Sequence, residues 1–151
     1  MQLSGDLKEF IASLNSAKVE YLIVGAWSFA FHARPRYTGD LDIFVNPTEN
    51  NAENIFRALD DFGFGDIGLS QKDLTEPEQI IQLGVVPNRV DLLTGLTGIK
   101  FSEAWAERAS GQLDGIDVTF ISRQHLIENK LAVGRPQDLT DVELLRREET
   151  E

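Results

Sequence analysis

Residues 39–45 read Gly39-Asp40-Leu41-Asp42-Ile43-Phe44-Val45, and the reading of this stretch decides the fold. Leu41, Ile43 and Val45 alternate with Asp40 and Asp42, which is the period-two pattern of a β-strand and predicts one from Asp40 to Val45. Residues two apart project from the same face. The apolar set therefore points to a core while the two carboxylates stand side by side opposite it. Like charges at that spacing repel and raise each other's pKa unless something cationic lies between them. A divalent cation removes the conflict, and Mg²⁺ favours one or two protein carboxylates together with phosphate oxygens. The plain alternative is a half-exposed strand whose outer face is acidic, because alternation is common in such strands.

The preceding residues narrow the choice. Val19 to Val24 is mostly apolar and predicts a strand buried on both faces. Gly25 breaks it, Ala26 to His32 reads as a short apolar helix, and Arg34-Pro35-Arg36 ends that helix because Pro35 disfavours helical geometry at Arg34. A glycine at a strand end lets a ligand approach the backbone, and the helix that follows offers free N–H groups to a phosphate. Thirteen residues separate Ala26 from Asp40.

Further out, Ser4 or Asp6 can cap a first helix carrying Leu7, Phe10, Ile11 and Leu14. Thr48 can cap another, with Ala52, Ile55, Phe56, Leu59 and Phe62 as its buried stripe and Gly63 as its stop. The stretch from Gly63 to Pro77 predicts no element. Gln79 to Leu83 and Arg89 to Leu93 predict two strands joined across Gly84 to Asn88. Phe101 to Arg108 predicts a helix and Ile116 to Ile121 a strand. Ser122 caps a helix through Leu131, and Asp138 to Arg147 forms the last. The expected fold is a single α/β (α+β) domain over residues 1–151, a mixed β-sheet with one hairpin, flanked by helices.

Composition sets outer limits. The chain has 151 residues, 14 Lys+Arg against 25 Asp+Glu, and a net charge of −11. It contains no cysteine, which excludes disulfide scaffolds, thiolate nucleophiles and cysteine-bound metals. His32 and His125 are too few for a histidine-built metal centre; His32 is expected to cap or pack and His125 to lie at the surface. Trp27 and Trp105 are expected in the core, although Trp27 is near enough to Gly25 to stack on a base. No long apolar run and no signal peptide are evident, so the expectation is a cytoplasmic protein without a membrane anchor. The acidity argues against a long nucleic-acid track.

Asp91, in Val90-Asp91-Leu92-Leu93, is the one acid within an otherwise apolar strand, and an acid there needs a partner. That partner is either Arg89, as an ordinary strand ion pair, or a cation shared with Asp40 and Asp42.

With the glycine turn, the Asp-x-Asp strand and a later single Asp, the chain resembles the nucleotidyltransferase superfamily of the polymerase-beta-like type, which implies a palm-like core. Arg36, four residues before Asp40, with Lys130, Arg135, Asp138 and Asp141 further on, is similar to the small bacterial members of abortive-infection and toxin–antitoxin systems. The resemblance implies transfer of a nucleoside monophosphate from a triphosphate such as ATP to a hydroxyl acceptor, with release of pyrophosphate. It implies two Mg²⁺ ions, or Mn²⁺ in their place, on Asp40, Asp42 and Asp91, with Asp91 also helping to remove the acceptor proton. It further implies that Gly25, Ala26, Ser28, Arg36, Thr38, Lys130 and Arg135 bind the nucleotide. Ala26 departs from the family pattern, which places Gly or Ser there, so one hydroxyl is missing unless Ser28 replaces it. The acceptor implied is a small molecule or a protein ahead of RNA, with a homodimer or a partner protein completing its site. The competing reading is a protein of the same fold that binds a nucleotide or a partner and transfers little or nothing.

Overall fold

The computed structural model describes residues 2–63, 67–85 and 88–150. Two parts of the sequence reading lie outside these residues: Val86-Pro87 of the expected hairpin connection, and residues 64–66 of the glycine-rich stretch. In chain order the elements are α1 (Gly5–Ser16), β1 (Tyr21–Val24), α2 (Gly25–His32), β2 (Asp40–Val45), α3 (Glu49–Phe62), α4 (Gln71–Thr75), β3 (Ile80–Leu83) and β4 (Arg89–Leu93). They continue with α5 (Phe101–Ala106), β5 (Ala109–Leu113), β6 (Ile116–Phe120), α6 (Arg123–Val133) and α7 (Pro136–Thr150). The strands form one six-stranded mixed sheet in the order β3-β4-β2-β1-β6-β5.

The expected mixed α/β architecture is therefore the observed one, and the strand from Asp40 to Val45 forms as read. β1 and β2 run antiparallel with Val24 opposite Asp42, β4 joins β2 in parallel, and β1 pairs with β6 in parallel. The central strands separate two apolar layers. Tyr21, Ile23, Leu41, Ile43 and Val45 pack with α1 and α3 on one side, while Leu22, Val24 and Phe44 pack with α2, α5, α6 and α7 on the other. Asp40 and Asp42 share a face with Phe44. That face turns apolar beyond Asp42, where Phe44 meets Phe101 edge-on at 5.1 Å between ring centres.

Local chemistry sets the ends of the elements. The Ser4, Thr48 and Ser122 hydroxyls accept the N–H groups of Leu7, Asn51 and His125 and start α1, α3 and α6. Gly63, at φ +99°, closes α3 in the left-handed region as expected of a C-terminal glycine.

Several boundaries differ from the reading. β1 begins at Tyr21, two residues after Val19, because Lys18 turns the chain at φ +59°. α5 stops at Ala106, and α7 starts at Pro136, whose fixed φ and missing N–H suit a first helical position. α4 was not expected; Ser70 N–H donates to Asp73 Oδ2 at 2.8 Å, a capping arrangement that starts a short helix in a segment without apolar periodicity. β5 was not expected either, since Ala109-Ser110-Gly111-Gln112-Leu113 carries no β-branched or aromatic residue. It forms because Asp114 (φ +49°) and Gly115 (φ +85°) make a tight turn that folds it back on β6.

One buried side chain joins the layers. Asn51 is 2% exposed; its carboxamide oxygen accepts Glu20 N–H at 2.8 Å, and its amide donates to Glu20 O at 3.0 Å and Asn46 O at 2.9 Å. Asn51 thus ties α3 to the entry of β1 and the exit of β2. Asn51→Ala strands three backbone groups and should lower unfolding free energy by about 2–4 kcal/mol in a urea titration, whereas an exposed control such as Glu53→Ala should change it by less than about 0.5 kcal/mol.

Candidate active site

Two of the three acids come from β2 and the third from β4. The parallel register sets Asp42 opposite Asp91 and Asp40 opposite Arg89. Asp40, Asp42 and Asp91 each offer a carboxylate oxygen, and these oxygens lie within 4.8 Å of one another. Of the two partners weighed for Asp91, Arg89 is the one observed: its Nε donates to Oδ1 and a terminal nitrogen to Oδ2, each at 3.1 Å. Asp91 is only 7% exposed.

The electrostatics follow from this packing. Burial pushes the Asp42 carboxyl up, the charges of Asp40 and Asp91 push it further, and Arg89 only partly opposes them, so its pKa rises to about 6. Three hard oxygen donors close together suit Mg²⁺ or Mn²⁺ and suit no soft metal. Thr38 steadies the first acid, its hydroxyl donating to Asp40 Oδ1 at 3.0 Å.

Gly25 closes the site from β1. It adopts φ +64°, and a Cβ there would collide with Oδ2 of Asp42 and lie 3.2 Å from both Cβ and Cγ of that residue. Glycine is required twice over, for the turn and for the acid beside it. The first turn of α2 starts on this residue, where backbone N–H groups lack helical acceptors. Ala26 follows in the same turn. Ser28 is fully buried, and its hydroxyl donates to Gly25 O at 2.8 Å, inside the helix.

Arg36, Lys130 and Arg135 gather on a second pair of carboxylates. Arg36 donates to both oxygens of Asp141, at 2.6 and 3.0 Å, with its guanidinium 3.8 Å from the centre of the Phe29 ring. Lys130 Nζ reaches Asp141 Oδ2 at 2.8 Å and Asp138 Oδ1 at 3.8 Å. Arg135 binds Asp138 at 2.7 Å and is otherwise exposed. Burial pushes the Asp141 carboxyl up, but hydrogen bonds and charge from Arg36 and Lys130 outweigh it and hold the group below the usual carboxylate range. Asp138 is also held low, chiefly by its hydrogen bond from Arg135. The cluster anchors the loop before β2 to α6 and α7. Arg36 also lines an open cleft of about 440 Å³ that runs past Leu3, Leu7, Trp27 and Tyr37 to Asp40.

Several other assignments follow. His32 Nε2 lies 2.7 Å from Ile121 O, and burial lowers its pKa, which makes it a packing histidine. His125 is half-buried against Ser122 rather than at the surface. Trp27 is buried and also lines the cleft. Phe29 beneath Arg36 gave no sequence signal as a site residue, and Arg89, read only as a possible partner of Asp91, gave none for its place beside Asp40, because each contact depends on the packing of separate elements.

A six-stranded mixed sheet thus presents three acids beside a glycine turn. Residues 3–151 match the family described as "Nucleotidyl transferase of unknown function (DUF2204)", and the chain belongs to that family. Among solved structures it is similar to an antigenic nucleotidyltransferase-like protein from Paracoccidioides brasiliensis, with a TM-score of 0.54 and 20% identity over 96% of this chain and 78% of that one. At that identity the likeness concerns the fold. No curated protein matches the chain.

The raised pKa of Asp42 has a definite sign. Its folded pKa, about 6, exceeds the ordinary 3.8, so its contribution to stability is fully present below pH 3.8 and is lost as pH rises through 6. Asp42→Asn should therefore gain on wild type by about 1–2 kcal/mol between pH 4 and pH 7 without divalent cation, allowing for solvent screening. Paired urea titrations at the two pH values measure this, and an unchanged difference would contradict it.

Proposed function

We propose that this protein transfers a nucleoside monophosphate from a nucleoside triphosphate to an acceptor hydroxyl and releases pyrophosphate. The observation that carries the reading is the convergence of Asp40, Asp42 and Asp91 from two strands beside the Gly25 turn. The family provides its prior. Asp40, Asp42 and Asp91 would hold Mg²⁺, two ions or Mn²⁺ in their place; when bound, these offset phosphate charge and polarise the reacting oxygens. Gly25 and the first N–H groups of α2, including that of Ala26, receive phosphate oxygens where the helix leaves donors unpaired. A bond forms between the acceptor oxygen and the α-phosphorus as the bond to the α–β bridging oxygen breaks. Pyrophosphate leaves with that electron pair. Asp91, the deepest of the acids, accepts the acceptor's proton. Thr38 orients Asp40, while Arg36 and Lys130 hold the preceding loop on Asp141 and Arg135 braces Asp138. No covalent nucleophile is needed, because such transfer depends on positioning and electrostatics.

The acceptor favoured is a small molecule or a protein ahead of RNA, since a chain of net charge −11 is poorly suited to a polyanion. ATP is the triphosphate to try first. The setting proposed is the cytoplasm, with a diffusible acceptor or a second protein; among the described residues no helix is long and apolar enough to cross a membrane.

A second reading keeps the fold and drops the transfer: a nucleotide- or partner-binding module, for example in a toxin–antitoxin pair or a homodimer. The favouring observation is that Ser28, the candidate replacement for the hydroxyl missing at Ala26, already donates to Gly25, while Arg36 and Lys130 already pair with Asp141.

Mg²⁺ with a triphosphate at about a hundredfold excess over Kd should add roughly 2.7 kcal/mol, raising Tm by several degrees, and EDTA should abolish the gain. No cation-dependent shift with any of the four triphosphates would sink the transfer reading and leave only a partner-binding module. Transfer of α-labelled nucleotide separates them: wild type labels an acceptor in a cell extract and Asp42→Asn labels none, whereas a binding module shifts in Tm and labels nothing.

A further inference from the structure

β4 carries, beside its acid, a cation that the transfer mechanism does not use. Arg89 and Asp91 are two apart on that strand and share a face; opposite them on β2 stand Asp40 and Asp42. A guanidinium is thus set into the ring of three acids. It grips Asp91 by both oxygens at 3.1 Å. The Arg89 side chain is 35% exposed and that of Asp91 only 11%, so the arginine is the solvent-facing member of the pair.

We infer that Arg89 is a resident counter-ion that occupies Asp91 until a substrate phosphate takes its guanidinium, and so sets the order in which cations enter the site. This rests on the nucleotidyl-transfer reading. Two facts argue for it. The first is charge: three carboxylates and one guanidinium leave −2, which a single divalent cation neutralises. A second cation then has nothing to balance it until a triphosphate brings its own negative charge. The second is geometry: a cation on Asp91 and a guanidinium across the same two oxygens repel at short range, so they exchange rather than coexist. A phosphate supplies the replacement, because its oxygens match the planar donor pair of arginine as well as a carboxylate does. In this arrangement the third acid becomes available only when the substrate has arrived.

The test is cation binding. Mn²⁺ is titrated into the full-length chain and followed by electron paramagnetic resonance of the free ion, with and without a triphosphate analogue that cannot release pyrophosphate. Wild type should take one Mn²⁺ alone and a second only with the analogue. Arg89→Lys keeps the charge but cannot bridge both oxygens of Asp91, and should take the second Mn²⁺ without analogue about tenfold more tightly than wild type. Arg89→Gln should do at least as much. With Asp91→Asn in the background, Arg89→Lys should bring no gain, which a merely structural role for Arg89 does not predict. A lysine variant identical to wild type, with only the glutamine variant tightened, would assign the effect to bulk charge and overturn the exchange. Equal binding by all three also overturns it and leaves nucleotidyl transfer standing. No Mn²⁺ binding by any of them overturns both.

Discussion

The structure depends on one pairing, the parallel register of β2 against β4. It places Asp42 opposite Asp91 and Asp40 opposite Arg89, and nothing in either strand alone ensures this. A slip of one residue would swap every side chain of β4 between faces, moving Asp91 into the layer with α1 and α3 and exposing Val90 in its place. The apolar alternation on both strands prevents that slip. Leu41 and Ile43 on β2, with Val90 and Leu92 on β4, all belong to one buried layer. The core therefore aligns the acids, and the repulsion among those acids is imposed by packing worth more than it costs.

Two charge systems with opposite properties lie on either side of the loop 33–39. Asp40, Asp42 and Asp91 carry more negative charge than Arg89 balances, and burial raises the proton affinity of Asp42. Asp138 and Asp141 carry less than their partners Arg36, Lys130 and Arg135 supply, and both carboxyls are held low. The first system is poised to accept a cation. The second is saturated and serves as an anchor. Thr38 and Asp40 follow Arg36 closely in sequence, so clamping Arg36 on Asp141 limits how far the first acid can wander.

The readable parts of the chain were those where burial and period agree. The strand Asp40–Val45 was legible to the residue, as were the caps at Thr48 and Ser122, whereas the choice between Ser4 and Asp6 at the first helix was made by the fold, for Ser4. β5 was not, because Ala109 to Leu113 has a weak strand composition and forms only by pairing with β6. The Asp114-Gly115 turn that makes this pairing possible was in plain view, and it is the signal that could have found the second hairpin. α4 escaped for a related reason, since its start is a side-chain cap and only Leu74 is buried.

For the candidate site, the Asp-x-Asp spacing and the glycine turn singled out Gly25, Asp40 and Asp42, and the family resemblance added Asp91, which the fold brings beside them. Their chemistry demands particular residue types on particular strand faces, and that demand is written in one dimension. The partners of the basic residues could not be read in the same way. Arg36 and Asp141 are 105 residues apart, and Arg89 stands beside Asp40 only because β4 lies next to β2. Which charges meet is settled by how helices and strands pack, because a charged side chain takes whichever opposite charge the folded chain brings within a few ångströms. The sequence named the acids and offered Arg89 to Asp91; the tertiary structure assigned Arg36 and Lys130 to Asp141.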